Sequence, residues 1–470
     1  MGVFRPRAIG PHCACIGGHI RIAGHAAVAV PRRDERRDAA WAQQNAEWRE
    51  PAQVLSFWQG AAEIDPHILA FTVSGSWWEA LAAAERTLLV SREYEHLLLA
   101  LSVTDSGPQV SYMALPHPSG IAVNEDRRTI HIASTRNPNQ IFDFQPAMNA
   151  PTQEHVAGSS HAGRPLVPVR SRFLPGRTYV HDLAIIDGVL HANAVGQNAI
   201  MRLPDCDAPS MVWWPAVIDH PDGPMLDCNY LQLNSIAAGV SLTASFFSAS
   251  TDTVSARRPG HRNFAVNRRG VIFSGATREP VVRGLTRPHS ARFIRDQLWV
   301  DNSGYGEVGI IDGGRYVPVM SLPGWTRGLH QAGPVAFVGT SQVLPRFRHY
   351  APGLELATSV CGLHAVDIQR GTCLGSLTWP MGNQIFAIES VPNDWQTGFL
   401  WKAGRQRSGD PARITKFFFA YQIPATSRDS ASGGARSRFD TLAKSSGDTC
   451  TAGGAANLGA FGQLAAAKGK

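Results

Sequence analysis

Lysine is almost missing from this chain of 470 residues. Only five of its 44 basic residues are Lys, all beyond residue 400, which leaves 44 − 5 = 39 Arg. Charge of either sign is scarce, at 17% of residues against about 25% in an average globular chain. That scarcity excludes a coiled coil and a chain disordered throughout. The net charge of +7 sits mostly at the ends: residues 1–50 hold eight Arg and five acids, residues 425–470 hold six basic and three acidic residues, and 51–424 keep +1. A nucleic-acid surface needs a clustered basic face, so no nucleic-acid partner is expected. An excess of Arg over Lys this lopsided points to genomic base composition rather than chemistry.

Cysteine is also sparse. Seven residues (13, 15, 206, 228, 361, 373 and 450) form no repeated CxxC pair of zinc-site spacing, and their odd number argues against a disulfide framework. Cys13 and Cys15 lie beside His12, His19 and His25 in a segment without helix or strand periodicity, which reads as an irregular basic leader. No stretch reaches the ~18 apolar residues of a membrane helix. The leader's apolar run is broken by His19, Arg21 and His25, where a secretory signal needs continuity. No membrane partner is expected, and a cytoplasmic location follows as the default. There is no GxSxG elbow, Walker motif or HExxH, so nucleophilic Ser or Cys catalysis has no local support.

Turn formers are plentiful, with 45 Gly and 31 Pro. Short runs of Val, Ile, Leu, Phe and Trp alternate with Asp-Gly, Gly-Gln-Asn and Gly-Tyr-Gly clusters, the signature of strands and tight turns. Three segments share one grammar of strand, turn, strand, turn, strand: SGIAVNEDRRTIHIASTRNPNQIFD (119–143), HDLAIIDGVLHANAVGQNAIMRL (181–203) and HSARFIRDQLWVDNSGYGEVGIID (289–312). Weaker copies open at Asn234, Arg327 and Gln384. The six starts are spaced by 62, 53, 55, 38 and 57 residues, close to the length of a four-stranded propeller blade. The expected fold is all-β, a six-bladed β-propeller over 67–424. A basic leader with a short exposed helix at 32–50 precedes it (residues 1–66), and a Ser/Gly/Ala-rich tail, 425–470, is expected to be disordered. The paired Trp213 and Trp214, with Trp299, Trp325 and Trp379, are expected to pack between blades.

In a propeller the first strand of each blade lies nearest the axis, so residues opening that strand form a ring. The register gives Ser119, His181, Asn234, His289, Arg327 and Gln384, all polar. Two imidazoles, a guanidinium and two amides meeting at one point would make a concave polar pocket. Imidazole works near neutral pH as acid, base or ligand, and Arg offers a fork for carboxylate or phosphate. His181 and His289 are therefore the candidate catalytic residues. Arg327, Asn234, Gln384, Ser119 and Asp182 are the candidate ligand-binding residues. The ligand class is a small anion or peptide-like molecule, and the reaction class a lyase or hydrolase. A divalent metal is left open, because two His with two amides make a thin ligand set. The alternative is a non-catalytic platform that binds a protein partner through face loops.

The phrases RGLTRPHSARFIRDQLWVDNSGYGEVGIID (283–312), LPGWTRGLHQAGPVAFVG (322–339) and CGLHAVDIQRGTCLGSLTWPMGNQIFAIESVP (361–392) resemble a family of bacterial conserved hypothetical proteins, over about 85–424. Some members of that family carry tetratricopeptide repeats beside this domain. The resemblance implies a propeller-like domain of unestablished activity. It also marks two departures: Gln232 stands where the family tends to have His, and Gln384 where it tends to have Glu.

Overall fold

A computed structural model describes residues 64–136, 139–146, 165–395, 398–399 and 401–402, together with positions 35, 38, 39 and 42. Those last four are helical and fall inside the helix expected at 32–50. The leader's cysteines and the 425–470 segment lie outside the described residues.

Six antiparallel sheets surround one axis, and the fold is a six-bladed β-propeller. The innermost strands are Pro118–Asn124 (blade 1), Val180–Ile186 (blade 2), Leu233–Ala237 (blade 3), Pro288–Ile294 (blade 4), Trp325–Ala332 (blade 5) and Ala387–Pro392 (blade 6). Each packs on the next, and blade 6 returns to blade 1. Blades 1 to 4 have four strands apiece, consecutive in the chain. Blade 5 gains an outer fifth strand, Thr72–Gly75, paired with Thr372–Trp379. Blade 6 closes the circle: its inner strand comes from the end of the described chain and pairs with Arg86–Arg92 from the beginning. Leu97–Thr104, Gly107–Ala114 and Trp401–Lys402 complete it. A closed ring leaves no unpaired face between first and last blade.

The strands form because alternate β-branched and aromatic residues bury between neighbouring blades. One such core joins Trp213, Ile218, Ile236, Phe247 and Phe273 between blades 2 and 3. Trp77, on the short helix Trp77–Ala83, is fully buried with Phe337 in the core shared by blades 5 and 6. Trp213, Trp299 and Trp379 are buried as expected, whereas Trp325 stands beside His289, ring centroids 5.7 Å apart.

A circle of hydrogen bonds links the blades near their inner strands. Ser91 donates its hydroxyl to the Ser119 carbonyl (2.6 Å), and Ser119 donates to the Val180 carbonyl (2.9 Å). Asn193 donates to the Leu233 carbonyl (3.0 Å), and Asn234 to the Pro288 carbonyl (2.9 Å). The Gly328 amide donates to Ser290 Oγ (2.8 Å), and Ser341 donates to the Ile385 carbonyl (3.1 Å). Every junction of the ring is thereby bridged, and each bridge satisfies a polar group that burial would otherwise penalise.

Candidate functional site

The inner strands of blades 1 to 5 all slip register within a few residues of their start. Such a bulge re-aims the side chain at the irregular position; in blades 1, 2, 3 and 5 that position includes the ring residue, and in blade 4 the slip follows directly after His289. Two residues earlier the backbone is left-handed at His117, Tyr179, Gln232 and Arg287, with φ of 45–53°. Non-glycine residues rarely adopt this conformation, and when they do they cluster where a structure holds side chains for use. Blades 1 to 5 thus present Ser119, His181, Asn234, His289 and Arg327 at the ring.

Blade 6 departs from the expected register. The pairing of Ile388 with Val90 corresponds to that of Leu329 with Val338 in blade 5, which puts Phe386 at the ring and Gln384 two residues before it. Gln384 is level with Tyr179, Gln232, Arg287 and Trp325, and its Oε1 is buried without a partner. Phe386 joins the ring members: its centroid lies 5.3 Å from that of His181 and 3.3 Å from the Arg327 guanidinium carbon.

Arg327 is 7% exposed. Among the described residues it has no salt bridge and no side-chain hydrogen bond, and burial pushes its pKa down to about 10. Arg287, two residues before His289, is buried and is likewise pushed down to about 10 by burial. Its guanidinium stacks on Tyr350 at 3.9 Å and donates to Gln232 Oε1 and the Pro259 carbonyl, while its Nε is unpartnered.

Both ring histidines are held well below the ordinary imidazole pKa, first by burial and then by the charge of Arg327. They are neutral at physiological pH. His289 Nδ1 lies 2.8 Å from the Arg287 carbonyl and 2.9 Å from Ser303 Oγ. A carbonyl only accepts, so Nδ1 carries the proton and Nε2 keeps its lone pair. His181 Nδ1 and Asn234 Oδ1 are buried without a well-formed hydrogen bond, although the Asn234 side chain lies near enough to act on the His181 imidazole. Unpaired polar atoms in one enclosed place are costly unless a ligand or water meets them.

The other ring members are already engaged. Ser119 and Asn234 Nδ2 bridge blades as described. Asp182 does not face the ring as a free acid: its oxygens receive a two-point contact from Arg292 (2.8 and 2.9 Å) and the Ile236 amide (2.8 Å). Further along the axis Arg292 approaches Glu389 (3.8 Å), Glu389 meets His330 Nδ1 (2.9 Å), and His330 Nε2 meets Ser390 Oγ (2.7 Å). That order of groups resembles a nucleophile triad. Ser390, however, is 1% exposed and its oxygen also receives Arg86 Nε (2.9 Å), so this chain of contacts braces blades 4, 5 and 6.

Several residues of the site escaped the sequence reading. Glu93 is buried, receives the Thr135 hydroxyl (2.6 Å) and acts on Arg327 through its charge. Tyr179 packs against His181 at 4.7 Å, and burial followed by the Glu93 charge raises its pKa. Tyr179 and Arg287 were reachable by carrying the repeat register two residues upstream; Glu93 lies outside the repeats and leaves no such signal. Tyr179 also lines a cavity of about 380 Å³, whose other walls include Thr135, Arg136, Arg177, Asp227, Cys228 and Arg258. Among the described residues no three His, Cys, Asp or Glu side chains gather into a metal-binding group. No described helix is long and apolar enough to cross a membrane.

Solved structures that resemble the chain share little sequence with it. A nidogen/laminin complex chain is 10% identical at a TM-score of 0.43, covering 65% of this chain and 98% of its own. A catalytically inactive virginiamycin B lyase from Staphylococcus aureus, with quinupristin, is 13% identical at 0.31, covering 61% and 74%. The WD40 β-propeller domain of Doa1 is 9% identical at 0.35, covering 54% and 86%. No curated protein matches. One family model matches residues 75–399, which takes in nearly every strand of the propeller, and on that match the chain belongs to the domain-of-unknown-function family DUF4915.

Proposed function

We propose that the axial pocket binds a small anionic ligand through Arg327 and acts on it by general-base chemistry, in a reaction of the lyase or hydrolase type. One observation carries this reading: Arg327 is a buried cation that no carboxylate among the described residues pairs. Burying an unpaired charge is expensive, and an arriving carboxylate supplies the missing partner with a two-point fork.

The neutral imidazoles suit the same ligand. Two imidazolium ions beside Arg287 and Arg327 would stack positive charge in one enclosed space, whereas neutral rings leave lone pairs. His289 Nε2 is the base, its opposite nitrogen fixed by the Arg287 carbonyl. It takes a proton from the carbon next to the bound carboxylate in a lyase, or from water in a hydrolase. The anion, once bound, offsets the Arg327 charge that lowers both imidazoles, so His289 becomes a stronger base as the ligand enters. His181 packs on Phe386, as Arg327 does, and in this reading accepts a hydrogen bond from the ligand.

Thermal unfolding of the wild type and of Arg327→Gln with butyrate, succinate and inorganic phosphate tests the reading. Stabilisation of the wild type that the variant loses supports it. Equal responses of the two proteins overturn it and leave the face-loop platform as the account to pursue.

A further inference from the structure

The cavity that Tyr179 lines holds three guanidinium groups, from Arg136, Arg177 and Arg258, against one carboxylate, Asp227. Neither Arg177 nor Arg258 has a side-chain hydrogen bond or salt bridge among the described residues. Arg136 approaches Glu93 at 3.5 Å and lies over the Tyr179 ring at 5.9 Å. Asp227 is occupied by the Tyr230 hydroxyl at 3.3 Å. With Arg136 shared with Glu93, the cavity keeps two guanidiniums without a salt bridge, Arg177 and Arg258, against the single carboxylate of Asp227. The axial ring holds Arg327 and Arg287, neither in a salt bridge among the described residues, beside two neutral imidazoles; Arg287 is already taken up by Gln232, the Pro259 carbonyl and the Tyr350 ring.

The cavity adjoins the ring residues. Tyr179 forms part of the cavity wall and touches His181, and Arg136 lines the cavity while its charge reaches His181. Gly196 shapes the wall: a Cβ there would sit 1.9 Å from the Arg177 carbonyl oxygen, so only glycine lets this turn lie against the Arg177 backbone. A volume of about 380 Å³ falls in the range of small-molecule sites.

We infer that the ligand is two-headed, a phosphorylated or phosphonylated carboxylic acid whose carboxylate meets Arg327 and whose phosphate-type head lies among Arg136, Arg177 and Arg258. This rests on the axial reading above. The geometry assigns the heads: three guanidiniums around one cavity suit the several oxygens of a phosphate-type group, and the one uncommitted fork of the ring, Arg327, suits a carboxylate. Planar guanidiniums are the preferred partners of phosphate oxygens, and Asn229, whose Oδ1 accepts from the Gln232 amide (2.8 Å), leaves its NH₂ free to add a donor.

Cys228, a free thiol on the cavity wall, reports occupancy of this compartment alone. The probes are ω-phosphonocarboxylates of increasing chain length, with monocarboxylates of the same lengths. Binding is measured by calorimetry, and alkylation of Cys228 by iodoacetamide is followed by peptide mass spectrometry. For the best-fitting length the wild type is expected to bind the phosphonate at least about tenfold more tightly than the monocarboxylate. The phosphonate slows Cys228 alkylation and the monocarboxylate does not. In the double variant R177Q/R258Q that advantage disappears while monocarboxylate affinity stays. An equal affinity for both series, or an advantage that survives R177Q/R258Q, overturns the two-headed ligand and leaves the axial site standing. Monocarboxylate binding unchanged in R327Q removes the axial reading itself, and a chain that binds neither series removes both.

Discussion

The guanidinium carbon of Arg327 stands 3.3 Å from the centroid of the Phe386 ring, so an aromatic face occupies the place where a buried arginine normally has a carboxylate. Cation–π attraction recovers part of the lost hydration, but a pKa pushed down to about 10 shows that the charge is still held at a cost. A drop of that size corresponds to roughly 3 kcal/mol against the folded state. In the proposed reading, that cost is offset when an anion binds.

Arg327→Met is accordingly expected to raise stability while removing anion response. The methionine keeps the packing on Phe386 through a soft thioether and removes the desolvated charge. Thermal unfolding without ligand should show a melting temperature a few degrees above wild type. A melting temperature several degrees below wild type would mean that Arg327 is a structural cation and not a waiting one.

The propeller could be read from the sequence because one physical unit recurs: a bulged inner strand, a tight turn, and a second strand that fixes the register. His181, His289 and Arg327 were placed by that unit. Blade 6 lacks it, since the inner strand Ala387–Pro392 pairs with Arg86–Arg92, about three hundred residues away, and no local hairpin sets its phase. The repeat spacing therefore points to Gln384, whereas Phe386 occupies the ring. The engagement of Asp182 by Arg292 was equally invisible, because the two residues belong to different blades and meet only when the ring closes.

Asp301 titrates against the fold. Its carboxyl is buried, both oxygens lack a well-formed hydrogen bond, and burial raises its pKa well above the ordinary range, with Ser290, Arg292 and Arg327 opposing. The folded pKa exceeds the unfolded value of 3.8, so the group's contribution is most favourable below about pH 4 and is lost as pH rises toward the folded pKa. Asp301→Asn, which mimics the protonated acid and cannot ionise, should match wild type near pH 4 and exceed it at pH 7 in chemical denaturation. A variant less stable than wild type at pH 7 would show that the ionised carboxylate supports the fold.

Histidine produces the opposite slope. Burial pushes His364 down to about 4; it is held between Thr340 Oγ1 (2.9 Å) and Ser376 Oγ (2.8 Å). His181 and His289 are shifted in the same direction. The unfolded chain takes up protons below about pH 6.5 that the folded chain refuses, so stability is complete above that pH and declines as pH falls. For His364 the loss accumulates between about 6.5 and 4 and reaches up to about 3 kcal/mol. Denaturation midpoints at pH 7, 6 and 5 should fall in order, and His364→Gln should flatten the fall. A variant with the wild-type slope would assign the pH dependence elsewhere.

The pair of Asp182 and Arg292 sets the geometry beneath the ring, since Asp182 follows His181 directly and ties blade 2 to blades 3 and 4. Burial works against the Arg292 charge, but Asp182 and Glu389 outweigh it and raise its pKa. Removing the carboxylate alone leaves a largely buried guanidinium with Glu389 at 3.8 Å as its remaining acid, and breaking such a pair typically costs about 3–5 kcal/mol. Asp182→Ala should therefore lower stability by about that amount. Asp182→Ala combined with Arg292→Met should recover most of it, because the stranded charge is gone. Losses that simply add in the double variant would show that the two residues act independently, and that His181 is positioned by some other contact.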